Sequence, residues 1–386
     1  MHRSAHFSPA RWGALAALVW LPAAGFAQPS LVRQGDRWER IYSGSMPATA
    51  RLRINGHGPV TVEAGVSREY FYTVKVAVRA RSEALALRRL AQFAVRLEPQ
   101  GDLLVLTVPG GVAMSTVSLK APRLSSAVIS TSDGPVQAMG IAGSLEVNSG
   151  AGELVADRIG GDCRLLTGGG DIRAGQVEGS LRATTGAGRI FARMVRGEAV
   201  IETNGGNVDV TEAGGQVWAQ TGGGDIRVGS AGGPVTVTTG GGQIQVGKAG
   251  GIVTARNMAG PVQVGSAAGV RCESGNGGVR VSNISGPMRV STSVGSIYAS
   301  LLGSRLADSF LATGNGDITV LIPSNLGVTI RAENDMADTL RRIVSEFAAL
   351  QPRRQGTAVV AEGKVNGGGP LLSISGAGGT IFIKRQ

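Results

Sequence analysis

Glu153 and Asp171 are the carboxylates whose spacing invites chemistry. They stand 18 residues apart, and 18 is also the period at which the chain repeats. If the repeats stack as β-coils, the two backbones lie ~4.8 Å apart, close to the ~5 Å carboxyl separation of a retaining glycosidase. Arg189 continues the same column one period later, Arg173 lies nearby, and Asp209 with Arg227 repeats the arrangement. Alternating charges of this kind read more simply as a surface ladder, in which exposed pairs contribute ~0 to 1 kcal/mol each. Beyond the first 27 residues the chain carries one histidine, His57, within Asn55-Gly56-His57-Gly58. One histidine cannot build a His-based metal cluster and gives poor support to a Ser-His-Asp triad. Nothing adjacent to it in sequence resembles an orienting group, so it reads as an exposed turn residue.

Cys163 and Cys272 fall in apolar columns six coils apart, ~29 Å at the same stacking distance. That exceeds the ~7 Å a disulfide permits between α-carbons, and an apolar column lacks the exposure and cationic neighbour of a reactive thiolate. The calcium-binding nonapeptide GGxGxDxUx needs aspartate at its sixth place. In Gly222-Gly223-Gly224-Asp225-Ile226-Arg227 that place holds Arg227. A threonine column recurs as it does in ice-binding solenoids, but only one corner column is consistent. The sequence therefore assigns no catalytic, cofactor-binding or metal residues, and the expectation is a protein without cofactor that is not an enzyme.

The elements that carry these residues follow from the repeat. Among 386 residues, 61 are glycine, 42% are apolar and 4% are aromatic. Glycine this frequent signals disorder or repetition, and the short alternating apolar runs argue for repetition. Coils begin at Thr131, Ser149, Thr167, Thr185, Thr203, Thr221, Thr239 and Asn257, then at Ser274 after a 17-residue step, at Thr292, and at Thr313 after a three-residue insertion. Two residues beyond each glycine of the column Gly134, Gly152, Gly170 through Gly316 stands a branched aliphatic, among them Ile172, Val208, Ile226 and Ile318. Polar residues alternate with the apolar ones, so each strand has one buried face. A second strand per coil (Val235, Val237) and a corner (Ala231) bring the inward side chains to five. Such a coil buries its apolar face only by stacking on its neighbours. The expected fold is all-β, a β-solenoid (β-helix-like) of about ten 18-residue coils, with an α+β N-terminal cap and a β C-terminal cap. Corner glycines are expected to supply positive φ, and the threonines to ladder their hydroxyls at another corner. Small inward residues leave no internal room for a ligand, and coils without long inserted loops predict a smooth wall.

The expected organisation is a signal peptide over 1–27, a strand and helix cap over 28–130, solenoid repeats over 131–322 and a β cap over 323–386. His2, Arg3 and Arg11 precede an apolar run ending Gly25-Phe26-Ala27, the pattern of a secretory leader. No later run reaches the ~20 apolar residues of a membrane-spanning helix. Export to periplasm, cell surface or medium is expected. In the cap, Ser82 and Glu83 open a helix over 82–92 buried through Leu87, Leu90 and Ala91, Glu69 to Arg79 alternates as a strand, and Phe93 to Val108 forms a hairpin. Asn55 to Val62 repeats the coil pattern, so the leading region, 28–130, should enter the solenoid and cap its first edge. Leu340, Ile343, Val344, Phe347 and Leu350 have helical spacing, yet Ile343 to Phe347 also reads as a strand.

The formal charge of +11 is uneven. Residues 28–130 hold 14 basic and 7 acidic side chains, residues 131–322 hold 14 and 15, and residues 323–386 hold 8 and 5. A basic cap suits anionic polymers; nucleic acid is not expected, because no aromatic interleaving offers base stacking. Phe191 and Trp218 are outward by register.

The recurrent Thr-Gly-x-Gly-x-Ile-x-Val, Arg342-Ile343-Val344-Ser345-Glu346-Phe347, and the ending Asn366-Gly367-Gly368-Gly369-Pro370 with Gly379-Thr380-Ile381-Phe382-Ile383 resemble the bacterial putative-adhesin family of exported β-strand-repeat domains. The resemblance implies a β-solenoid, tips residues 343–347 towards a strand and supplies no catalytic residues. The function expected is an exported, non-enzymatic, adhesin-like or structural binding protein, with anionic envelope polysaccharide or another envelope protein as partner. A carbohydrate-active β-helix enzyme using Glu153 and Asp171, and an envelope interaction or signalling module, are the alternatives.

Overall fold

The computed structural model describes residues 31–386 except 66, 92, 94, 112, 113, 303–305, 337 and 338; the expected leader, 1–27, lies outside the described residues. Each regular coil contributes two short strands, such as Ile226–Ala231 and Val235–Thr239, whose inward residues are buried and whose intervening residues face out. Branched residues suit this pleated, one-sided burial. Strands pair in parallel with their counterparts one coil away. The aliphatic column therefore runs in register from Ile172 through Ile190, Val208, Ile226, Ile244, Val262, Val279 and Ile297 to Ile318. The shortened and lengthened steps fall where the sequence places them, since Asn257 pairs with Ser274 and Thr292 with Thr313.

The result is two sheets of eighteen strands each among the described residues. The second sheet is an open stack and not a barrel, because Arg96–Gln100 and Arg353–Gln355 each pair along one edge only. Between the sheets the inward columns fill the interior, and Ile226, Val228, Val235 and Val237 are at most 1% exposed.

The threonine column is a sixth buried position, and its role differs from the expected hydroxyl ladder at a separate corner. Thr221 Oγ1 donates to the Gly206 carbonyl of the preceding coil at 2.8 Å and accepts the Gly224 amide of its own coil at 3.2 Å. Thr185, Thr203 and Thr239 make the same bridge. Threonines thus tie down the glycine corner itself. Some corner glycines meet the expected need for positive φ, Gly260, Gly295 and Gly316 among them, and others answer a different one. Gly134 and Gly152 have φ of +92° and +114°, but Gly224 has no left-handed φ. It is glycine because a Cβ there would lie 2.1 Å from the Gly206 carbonyl oxygen, so stacking distance excludes any side chain.

Both ends are built out of chain order. The coil of Arg51–Gly56 and Val60–Ala64 lies between that of Leu103–Thr107 and Met114–Ala121 and that of Ser126–Thr131 and Val136–Met139. Within the leading region, residues 55–62 join the solenoid one layer in, and the later coil of Leu103–Thr107 and Met114–Ala121 closes over them. At the other end, the chain-terminal coil of Leu371–Gly376 and Ile381–Arg385 is likewise slotted between Ser309–Ile322 and the coil containing Val328–Asn334 and Ile343–Ser345. Ile343–Ser345 is a strand entered from a short 3-10 turn, Leu340–Arg342, which settles the open choice in that segment.

Antiparallel strands Phe71–Arg79, Arg37–Ser45 and Leu31–Gln34 extend the first sheet beyond the solenoid. The helix Glu83–Leu90 packs there, with Ser82 accepting the Leu85 amide as N-cap. Its buried residues are Ala86 and Leu90, one helical turn apart, while Leu87 is 39% exposed and Ala91 is exposed. The stripe is narrower than expected because the helix meets the sheet along a single i, i+4 line. The outermost strands are short and carry arginine or Pro99, which suits edges that must not recruit further chains.

Candidate functional site

With the interior filled, whatever the protein recognises must meet the outward columns. On the first sheet, Arg173, Phe191, Asp209 and Arg227 occupy one column in successive coils, beside the corner residues Glu153, Asp171 and Arg189. All of these but Glu153 line a groove of about 240 Å³, with Asn207 and Asp225. The structure therefore brings together the acidic residues singled out in the sequence, but it also shows what occupies them. Asp171 Oδ1 accepts the Arg189 backbone amide at 2.8 Å, and its Oδ2 lies 3.8 Å from the Arg189 guanidinium and 4.0 Å from that of Arg173. Arg173 also pairs with Glu153. Asn207 and Asp225 repeat the corner bond, accepting the amides of Asp225 and Gln243. A carboxylate that satisfies the next coil's corner N–H is performing a backbone's task, and the charge-ladder reading accounts for it fully.

His57 is exposed, and its carbonyl accepts from Ser115 while its Nδ1 contacts the Ser132 hydroxyl. The expectation that nothing orients the ring is corrected, because coil stacking sets corner 57 against corner 132. Among the described residues no carboxylate completes a triad with them. Cys163 and Cys272 are unpaired and buried, and burial pushes both thiols up to about 12, with the Glu273 charge adding to the effect at Cys272. Trp218 is half-buried and Phe191 is 38% exposed, both outward as the register requires.

Sequence reading missed a second constellation. On the second sheet one outward column runs Trp218, Thr236, Thr254, Arg271, Arg289, Phe310. From Thr236 onward it floors an open groove of about 570 Å³, rimmed by Ile252, Pro287 and Leu371. The wall is therefore not smooth. Arg271 and Arg289 lie side by side, and among the described residues neither has a carboxylate within ion-pair distance; Arg289 instead sits 5.9 Å from the Phe310 ring centroid. The signal was present three residues before each member of the threonine column, once the 17- and 21-residue steps are allowed for. Regional charge sums hid it: the near-neutral repeats comprise 8 basic and 12 acidic residues over 131–227, then 6 and 3 over 228–322.

No family model matches the chain, and no curated protein matches it. Among solved structures, a "putative adhesin" from Bacteroides fragilis NCTC 9343 covers 90% of this chain and 97% of its own at 10% identity and a TM-score of 0.21. A "putative cell adhesion protein" from Clostridium sporogenes ATCC 15579 covers 90% and 99% at 11% identity and a TM-score of 0.19. At such scores the superpositions carry no argument about a site, which rests on the columns described above. Among the described residues no helix is long and apolar enough to cross a membrane.

Proposed function

We propose that this protein is an exported, non-enzymatic, adhesin-like solenoid that holds extended anionic polymers of the cell envelope against its outer walls. One observation carries the reading: the interior is closed by its own side chains, while both sheets present unbroken outward columns along the stack. The adhesin resemblance of the sequence points the same way. The N-terminal region adds long-range attraction, since Arg68, Arg81 and Arg123 are exposed and seven positive charges are in excess over residues 28–130.

The test uses the intact chain, because cutting at residue 131 would split the strand Ser126–Thr131 and bare the coil beneath it. Retention on immobilised polygalacturonate should weaken from low to physiological salt as the Debye length shrinks to ~8 Å. The combined variant Arg68→Gln, Arg81→Gln, Arg123→Gln should bind more weakly at low salt. The polymer should be recovered at its original length. Salt-insensitive retention equal in both proteins would remove the electrostatic role of the cap, and shortened polymer would favour the enzyme reading.

A further inference from the structure

We propose that the groove over Arg271 and Arg289 is a binding subsite for a short run of acidic sugar residues, of the uronate type. The inference rests on the polymer-binding reading above and assigns it a place. Arg271 and Arg289 are register partners in adjacent coils, ~4.8 Å apart at the backbone. Like charges directly opposite on neighbouring strands repel. Several arginines of the preceding coils are matched: Arg173 by Glu153 and Asp171, Arg189 by Asp171, Arg196 by Glu178 and Arg227 by Asp225. Arg164 and Arg182, register partners earlier in this same column, have no ion pair among the described residues either, but Glu146, Asp162 and Glu198 line the groove around them. Beside Arg271 and Arg289 the nearest acid on the rim, Asp308, has Oδ1 committed to the Leu371 amide at 2.9 Å. Two adjacent guanidiniums without carboxylates are arranged for anions supplied from outside, and planar carboxylates suit their forked donors.

The surroundings select the kind of anion. Thr236 and Thr254 bring hydroxyls to the same column, Phe310 offers a ring, and exposed Ile252 (49%) and Leu371 (41%) line the rims. A pyranose presents hydroxyls at its edge and C–H groups on its face, and this mixture of donors and apolar surface matches both. The floor from Thr236 to Phe310 spans four coil steps, ~19 Å, enough for a few sugar rings. An acidic peptide is the weaker candidate. Extended peptides gain affinity by adding to a sheet edge, whereas this groove crosses the face of strands already paired on both sides.

The deciding experiment is binding of purified oligogalacturonate to the full chain at physiological salt. Arg271→Gln and Arg289→Gln should each weaken binding by at least about tenfold, and the double variant should abolish it. Arg280→Gln, on the opposite sheet, should bind as the unmodified chain does, and neutral dextran should not bind. Thermal unfolding of each variant separates lost binding from lost structure. Unchanged binding by a folded double variant, with the cap variant weakened, would overturn the groove while leaving polymer binding intact. Polyglutamate bound as tightly as oligogalacturonate and lost with the same two arginines would overturn the sugar assignment. No binding of any anionic polymer at any salt would remove both this site and the broader function.

Discussion

The coils from Thr131 to Arg227 and those from Val228 to Ile322 share one core and differ in what they carry outside. Inward, the same aliphatic column continues across both, from Val136 to Ile318, fully buried throughout. Outward and among the described residues, the first group is laced by seven close contacts between opposite charges, among them Arg193 with Asp157, while the second group has one, Arg256 with Glu273. In its place the second group stacks cations on rings, with Arg280 4.4 Å from the Tyr298 centroid and Arg289 over Phe310. Packing therefore fixes the inward positions wherever the coil sits, and the outward positions vary freely. A solenoid can change its surface chemistry along its length without altering its fold.

The strongest test of that separation sets core against surface in both groups. Ile226→Asp and Ile297→Asp each bury an uncompensated carboxylate and should destabilise the chain by several kcal/mol, alike in the two regions. Arg227→Gln, exposed, should stay within ~0.5 kcal/mol. Thermal or urea unfolding measures all three. An outward variant as damaging as an inward one would break the assigned register.

Each group also holds one buried thiol. Folding raises Cys163 and Cys272 from an ordinary 9.0 to about 12. The native state therefore keeps protons that the unfolded chain has released between those values. Stability is unaffected below pH 9 and falls as pH rises from 9 towards 12, by roughly 1 kcal/mol per unit for each thiol. Cys163→Ala and Cys272→Ala should each remove a similar part of that slope, and neither thiol should react with an alkylating reagent at pH 8 in the native protein. Rapid modification of one alone would show that the two halves are not equally dry.

The sequence made the core legible because burial repeats with the coil. Ile226 and Val228 could be placed inward from spacing alone, and so could the 17-residue step before Ser274. The corners were less legible. Gly224 looks like a turn glycine, and only the stacked structure shows that a neighbour's carbonyl excludes its side chain. The out-of-order coils at 51–64 and 371–385 were hidden as well, since period reports which segments can form coils and not the order in which they stack. Among outward residues, Asp171 stood out because two carboxylates at one period suggest chemistry. Arg271 and Arg289 did not, because their meaning depends on the acids that fail to surround them.

A smaller difference separates one position of the threonine column, Ser274, from the rest. Thr221→Val removes the hydroxyl that joins the Gly206 carbonyl to the Gly224 amide, and leaving both unmatched should cost about 1–3 kcal/mol. Beyond the shortened step, the buried Ser274 hydroxyl has no hydrogen-bond partner among the described residues. Ser274→Ala should therefore be neutral or slightly stabilising. Equal losses at the two positions would mean that the column acts by shape and not by its hydroxyl.

The smallest expected effect bears on the residue with the most suggestive spacing. Asp171→Asn retains an oxygen for the Arg189 amide and gives up only exposed charge pairing at 3.8 and 4.0 Å, so stability should change by no more than ~0.5 kcal/mol. That loss should vanish in high salt, where the charged and uncharged forms become equivalent. Asp171→Ala removes the acceptor too and should be the more damaging of the pair, by about 1 kcal/mol and independently of salt. Asn207, which already accepts the Asp225 amide in the same column two coils on, is the natural precedent for the first substitution. If asparagine proves as harmful as alanine at position 171, the charge itself matters there, and the first group of coils would hold more than a structural ladder.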